Sequence, residues 1–326
     1  MTRNMRPSST IRAEDAELLA SIADDYYLKG FTQDRIASTY LISRSYVSRL
    51  VRRARDLGIV EIHIKHPVAR LQRLETAVRQ RFALREAVVV ACPPGDDANS
   101  LVPAGQEGAR LIAELVRPGE TIAVAYGTGV RSVLDALRPN IVRAGHVVPL
   151  FGGSLVPTEI NTTTLVVTAG RLLGASYDLL HAPWIVETPQ LARALREQPE
   201  VAAVLARAAA ADIAVVGIGA IGSGSSALLF NNAYLNEAEL SELAVQGAVG
   251  DIAARIYDRA GRPCQLSFNA RIIGPDLPMV RRIPTIVGVA VGRQKGPSIL
   301  AALRGGLLDV LVTDGDAAEA VLEHAS

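Results

Sequence analysis

Arginine and serine crowd one short stretch of this chain, Ser43 to Leu57, at a spacing that can read nucleic acid. Wound as a helix at about 100° per residue, it gathers Val47, Leu50, Val51, Ala54 and Leu57 on one side and turns Ser45, Ser48, Arg49 and Arg52 to the other. A guanidinium pairs with O6 and N7 of guanine, and a serine hydroxyl both donates and accepts, so this face suits base edges in a major groove. Arg44 and Tyr46 flank the first turn, while Arg53 and Arg55 lie to the sides, where phosphate oxygens would be met.

A second chemistry comes from glycine-rich loops that follow apolar runs. Gly217-Ile218-Gly219-Ala220-Ile221-Gly222 has the spacing of a dinucleotide fingerprint. Such a fingerprint opens a helix at once and is followed by a second strand with an acidic residue about 20 positions on. Here Ser223-Gly224-Ser225-Ser226 prolongs the loop and no suitable acid follows, so no cofactor is expected. These glycines instead allow a loop to pass close to a ligand or another backbone. Tyr126-Gly127-Thr128-Gly129, Phe151-Gly152-Gly153-Ser154 and Val291-Gly292-Arg293-Gln294-Lys295 are similar loops. Their N–H groups, a helix N-terminus after Gly127 and the hydroxyls of Thr128 and Ser154 suit an anionic group such as a phosphate.

The elements that must position these groups can be read from periodicity. Leu18, Leu19, Ile22, Ala23 and Tyr26 mark a first helix ended by Gly30. Thr32 caps a second carrying Ile36, Ala37 and Tyr40, Leu41-Ile42 makes a turn, and Ser43 caps the third, ended by Gly58. Ile59 to Ile64 alternates as a strand, which makes the unit a winged helix-turn-helix. A helix near 68–82 leads into the body. There, strand-like runs at 87–91, 121–126, 146–151, 212–218, 285–290 and 309–313 alternate with helical stretches at 105–116, 130–137, 163–173 and 237–245. That pattern predicts an α/β doubly wound parallel sheet with helices on both faces.

Composition agrees. At about 150 residues per domain, 326 residues suggest roughly two. Residues 1–66 hold 11 basic and 8 acidic side chains, against 23 and 25 in the rest, so a basic unit joins a near-neutral body. Two cysteines exclude a disulfide scaffold, five histidines show no metal-ligand spacing, and 4% aromatics argue against a stacking platform for single strands. The polar start and the lack of a long apolar run predict a cytoplasmic protein with no membrane partner.

Phe31 to Ala37 and Ile42 to Val60 resemble the N-terminal unit of the SorC/DeoR-type sugar-binding transcriptional regulators. The resemblance continues through Gly127-Thr128, Phe151-Gly152-Gly153, His181-Ala182-Pro183, Ala211 to Gly219, Gly247 to Ile252, Gly292 with Lys295, Leu303 to Leu307, and Thr313-Asp314. It departs in the first loop, where Tyr126 and Gly129 stand at positions the family often fills with Trp and Thr.

The resemblance implies a helix-turn-helix at 1–66, a linker helix at 67–84 and a phosphosugar-isomerase-like effector and oligomerisation domain at 85–326. Its partners would be operator DNA, a sugar or sugar-phosphate effector, and further copies in a homo-dimer or homo-tetramer. The DNA-binding set is then Gln33, Ser43, Arg44, Ser45, Tyr46, Ser48, Arg49, Arg52 and Arg53. The effector set is Gly127, Thr128, Gly152, Gly153, Ser154, Asn161, Asp251 and Lys295, with His181 and Arg171 as weaker candidates. In it Asp251, after the Gly247–Gly250 turn, accepts from sugar hydroxyls, and Lys295 meets a phosphate or a carbonyl-bearing sugar. The alternative is a phosphosugar isomerase or deaminase; no acid/base constellation stands out for it, and it leaves the basic N-terminal unit without a use.

Overall fold

The computed structural model describes residues 13–60, 68–92, 97–139, 144–153, 161–221, 234–235 and 237–325. The chain divides into two compact units at Pro67/Val68.

The first unit has helices α1 (Ala13–Ala23), α2 (Gln33–Tyr40) and α3 (Arg44–Asp56), with a π-helical turn at Asp24–Leu28. The caps fall where hydroxyls were expected: Thr32 Oγ1 accepts from the Arg35 N–H at 3.3 Å and Ser43 Oγ from the Tyr46 N–H at 3.2 Å. Leu41 makes the turn between α2 and α3 in the left-handed region, at φ 55° and ψ 40°. Leu19, Ile22, Ile36, Val47, Leu50, Val51 and Ala54 form the core, so the apolar stripe of α3 is its buried face. The expected wing strand lies outside the described residues from Glu61 onward. Ile59 and Val60 donate back to the Ala54 carbonyl and close α3.

The second unit begins with α4 (Gln72–Phe82) and β1 (Glu86–Val90), followed by α5 (Asp97–Leu115), β2 (Thr121–Val124), α6 (Thr128–Ala136), β3 (His146–Pro149), α7 (Thr162–Leu172) and β4 (Ser176–Tyr177). Then come α8 (Pro189–Arg196), α9 (Pro199–Ala209), β5 (Ile213–Gly217), β6 (Gly219–Ala220), α10 (Glu237–Val245), β7 (Ala248–Ile252) and β8 (Arg255–Asp258). The chain ends with α11 (Ser267–Arg271), α12 (Leu277–Val280), β9 (Thr285–Val289), α13 (Gly296–Arg304), β10 (Val310–Asp314) and α14 (Gly315–Glu323).

Seven strands form one sheet in the order β1-β10-β9-β5-β2-β3-β4, every pair parallel. Alternate residues feed two cores, Val89, Ala123, Val148, Val216 and Leu311 on one face and Val88, Val124, Val147, Val215 and Val312 on the other. Both faces are covered, as a doubly wound sheet requires. Carboxylates satisfy strand N–H groups that lack a strand partner. Asp212 Oδ2 accepts from Thr121 N, Asp309 Oδ2 from Ile286 N (both 2.8 Å), and Glu75 Oε1 from Val89 N at 3.0 Å.

From β2 the chain moves outward to β3 and β4, while β5 inserts on the other side of β2 and leads through β9 to β10. The order therefore reverses between β2 and β5, and the carboxyl ends of strands at such a reversal are where open α/β sheets bind ligands.

A three-stranded antiparallel sheet, β6-β7-β8, sits beyond β5. It corrects one expectation: Asp251 does not follow a glycine turn but lies within β7, opposite Gly219 of β6. The turn before β7 is Gln246-Gly247, with Gly247 at φ 65°. Gly250 is a close approach: a Cβ there would stand 2.6 Å from Gly219 O and 2.8 Å from the Tyr257 hydroxyl.

Candidate functional site

A cavity of about 260 Å³ opens at the reversal point, lined by the loop after β2, by Gly217 to Gly219 at the end of β5, by Asp251 of β7, by Val289 to Val291 at the end of β9, and by Gln294 and Lys295 beyond it. Its volume lies just under the range of drug-sized pockets, a size that suits a monosaccharide. Backbone geometry requires glycine at two of its edges. Gly127 has φ 135° and Gly292 φ 97°, both in the region that favours glycine. Gly127 caps α6, whose first N–H groups have no partner within the helix and face the ligand side of the sheet. A Cβ at Gly129 would stand 2.6 Å from Val289 O, so the first turn of α6 sits directly on the end of β9.

The polar groups are few and of opposite kinds. Lys295 ends a 3₁₀ turn, Arg293–Lys295, and is only 9% exposed; Asp251 is 5% exposed. Thr128, Gln294 and Tyr126 complete the polar lining. Tyr126 packs edge-on against Phe151 with ring centroids 6.3 Å apart. The apolar wall comes from Leu101, Val289 and the two-residue turn of the β7–β8 hairpin. That turn is made of Ala253 and Ala254 at φ 49° and 62°, where Asn and Gly are the usual occupants.

Behind the hairpin, Tyr257 is fully buried and its hydroxyl donates to Ser298 O at 3.0 Å, while Ser298 Oγ donates to Lys295 O at 2.9 Å. Burial, with the Asp251 charge adding, pushes the Tyr257 phenol far above its ordinary value, so it stays a donor. The strand bearing Asp251 is thus tied through β8 to the turn bearing Lys295.

Of the expected effector residues, the structure brings Gly127, Thr128, Asp251 and Lys295 together. It does not bring Gly152, Gly153 or Asn161 into the cavity lining. The N–H groups of Gly152 and Gly153 donate to Ile273 O and Ala182 O, both at 3.0 Å. Asn161 caps α7 by accepting from Thr163 N at 2.9 Å. Ser154 lies outside the described residues. His181 and Arg171 are exposed and line no part of the cavity. Tyr126, Gln294, Gly217 and Gly219 were not in the expected set. Tyr126 and Gln294 belong to the glycine-rich loops at 126–129 and 291–295, and the glycine spacing at 217–222 signals the other two; its reading as a close passage is the one that applies to Gly217, whose Cβ position is 3.4 Å from Tyr126 O.

In the first unit, Ser45, Arg49 and Arg52 lie exposed on α3, with Ser48 half-buried and Arg53 exposed at the flank. Arg49 Cζ stands 5.4 Å from the Tyr46 ring centroid, and exposed Arg44 pairs with Asp34 at 3.6 Å. Ser43 Oγ is engaged in the cap and lies 3.0 Å from Ser45 Oγ. Gln33, half-buried, opens α2.

Comparison with known proteins places this geometry among relatives. Residues 66–323 match the family described as a sugar-binding domain. The chain is 33% identical over 329 residues to the transcriptional regulator LsrR of Klebsiella pneumoniae, covering 100% of this chain and 98% of the relative. It is 30% identical over 313 residues to the deoxyribonucleoside regulator of Bacillus subtilis, covering 95% and 98%. The crystal structure of the full-length sorbitol operon regulator SorC from Klebsiella pneumoniae superposes with a TM-score of 0.71 at 29% identity, covering 95% of this chain and 100% of that one.

Proposed function

The chain belongs to the SorC/DeoR-type sugar-binding transcriptional regulators, and on that premise we propose how it works: α3 reads operator DNA and the cavity at the β2/β5 reversal binds the effector, a phosphorylated monosaccharide. The observation that carries this reading is the pairing, in one small cavity, of a buried ammonium and a helix N-terminus with a buried carboxylate. The first two suit a phosphate and the last suits sugar hydroxyls. Among the described residues, the only titratable groups lining the cavity are Tyr126, Asp251 and Lys295. Isomerase chemistry would need a base beside the C1–C2 proton; the body is read as a binder because the relatives it matches are named as transcriptional regulators. Effector binding shifts the population of DNA-competent assemblies, which the body holds together as dimers or tetramers in the cytoplasm. Among the described residues no helix is long and apolar enough to cross a membrane.

Operator gel shifts test both halves. Arg49→Ala is expected to weaken specific operator binding by about 1–3 kcal/mol at physiological salt. Lys295→Ala and Asp251→Ala are expected to abolish the effector response, measured against each variant's own effector-free affinity. A thermal-shift panel of pentose, deoxypentose, hexose and hexitol phosphates, beside free sugars and inorganic phosphate, identifies the ligand. At 100 times its dissociation constant a ligand adds about 2.7 kcal/mol of stability. Unchanged operator affinity for Arg49→Ala, or an intact response in both cavity variants, would sink the corresponding assignment. Turnover of any phosphate in the panel would favour the isomerase reading.

A further inference from the structure

The turn that carries Gln294 and Lys295 into the cavity is anchored at its start by a buried carboxylate. Gly292, at φ 97° and ψ 139°, turns its N–H toward the end of the neighbouring strand β10. There the Asp314 carboxylate, 3% exposed, accepts that N–H on both oxygens at 3.1 Å, and Oδ1 also accepts from Ala317 N at 3.1 Å as the cap of α14. The turn closes on itself from the same point, since Lys295 N donates to Gly292 O at 2.9 Å. Asp314 is thus the side chain that fixes where the lysine turn begins.

Asp314 also faces the other way. In the β1–β10 ladder it stands opposite Val90. The outer edge of β1 is occupied by the segment through which the chain enters the body: Arg70 bridges Val90, Leu71 N donates to Val89 O at 2.8 Å, and Ala91 N donates to Ala69 O at 2.8 Å. The next residue, Gly315, lies so close to this segment that a Cβ on it would stand 2.9 Å from Leu71 Cδ1. A continuous run of hydrogen bonds and contacts therefore links the lysine turn to residues 69–71, just beyond the Pro67/Val68 division.

We propose that Asp314 is a positioning residue of the effector site, which aims Lys295 at the ligand and joins the lysine turn to the segment leading to the DNA-binding unit. The inference rests on reading the cavity as the effector site. A carboxylate is needed because it offers only acceptors to its N–H partners. In Asp314→Asn one oxygen becomes an NH₂ group that faces the Gly292 or Ala317 N–H, and the turn loses its fixed start.

The test is a double-mutant cycle on the full chain, read by calorimetry with ribose 5-phosphate, 2-deoxyribose 5-phosphate and sorbitol 6-phosphate, each beside its free sugar. Asp314→Asn is expected to weaken the best-bound phosphate about tenfold, within the coupling seen for groups that share one network. Its free sugar should weaken much less. In a Lys295→Ala background the same substitution should add almost nothing, because the lysine through which it acts is gone. The change in operator affinity caused by that phosphate should shrink in parallel. A merely structural role would lower melting temperature yet weaken phosphate and free sugar alike, and equally in both backgrounds; that result overturns the proposal. So does wild-type phosphate affinity in Asp314→Asn when Lys295→Ala has lost it. Asp314→Ser, which keeps a hydroxyl cap for Ala317 and withdraws the partner of Gly292, gives the same reading if Asp314→Asn does not fold. If Lys295→Ala binds like wild type, the effector-site reading fails first and this inference falls with it.

Discussion

Asp25, buried in the π turn, carries much of the first unit's geometry. One carboxylate oxygen accepts from Lys29 Nζ at 2.8 Å and the other from the Tyr40 hydroxyl at 3.0 Å, so the π turn after α1 is tied to the end of α2. The hydrogen bond from Lys29 holds the Asp25 carboxyl below its ordinary value; burial opposes this, and Tyr40 adds to the lowering. The same bond raises Lys29. A lowered carboxyl favours the folded state above the unfolded value of about 3.9, and the contribution disappears as pH falls through the folded value. A raised ammonium contributes below about 10.4, and that part disappears as pH rises through its own folded value. The melting-temperature difference between wild type and Asp25→Asn should therefore be level across neutral pH and collapse in acid. Thermal melts of both proteins from neutral pH downward check this. A difference that persists unchanged to the lowest pH would show that the carboxylate charge is not what joins these helices.

At the scale of elements, α6 brings its N-terminus to the cavity because α5 lets it approach. A Cβ on Gly105 would stand 2.3 Å from Ser132 O, and one on Gly108 would meet Val133 Cγ2 at 2.6 Å. Gly→Ala inside a helix ordinarily stabilises by about 0.5–1 kcal/mol. Here Gly105→Ala is expected to destabilise by about 1–3 kcal/mol through overpacking and, by displacing α6, to weaken phosphate binding. Urea melts give the sign and calorimetry the affinity; a stabilised protein would contradict the close crossing. Elements with local signals were legible from sequence: the Thr32 and Ser43 caps, the apolar stripe of α3 and six of the seven strands of the main sheet, all but the two exposed residues of β4. The β6–β8 sheet was not, because β6 has two residues and the pairing of Gly219 with Asp251 joins positions distant in the chain. Nor did sequence show that Gly152 and Gly153 serve backbone partners at Ile273 and Ala182, since only the fold brings those segments together. Arg255 is a further case. It is buried with its guanidinium donating to the carbonyls of Asn269, Ile272, Gly274 and Pro275, and burial lowers its pKa to about 9. In sequence it is one arginine among many.

On the scale of the whole molecule, a basic reading unit and a ligand-binding body meet in the chain at Pro67/Val68. The reading unit offers one exposed helix face, and one such face covers a single half-site. Two half-sites lie about one helical turn of DNA or a multiple apart, so the proposed operator binding calls for at least two copies held at that spacing. Under the proposed function the effector controls this through the body, because a change in how copies meet would alter the spacing of the reading helices without touching the helices themselves. The oligomer contacts should therefore belong to residues 68–326. Light scattering on a protein beginning at Val68 should give a mass near two or four times that of its own chain, matching the state of the full 34.6 kDa chain. Operator affinity of the full chain should fall steeply once it is diluted below the concentration at which its copies separate. A monomeric body beside an oligomeric full chain would move the assembly contacts to the first unit. Effector binding would then have to act on DNA by a route other than the meeting of bodies.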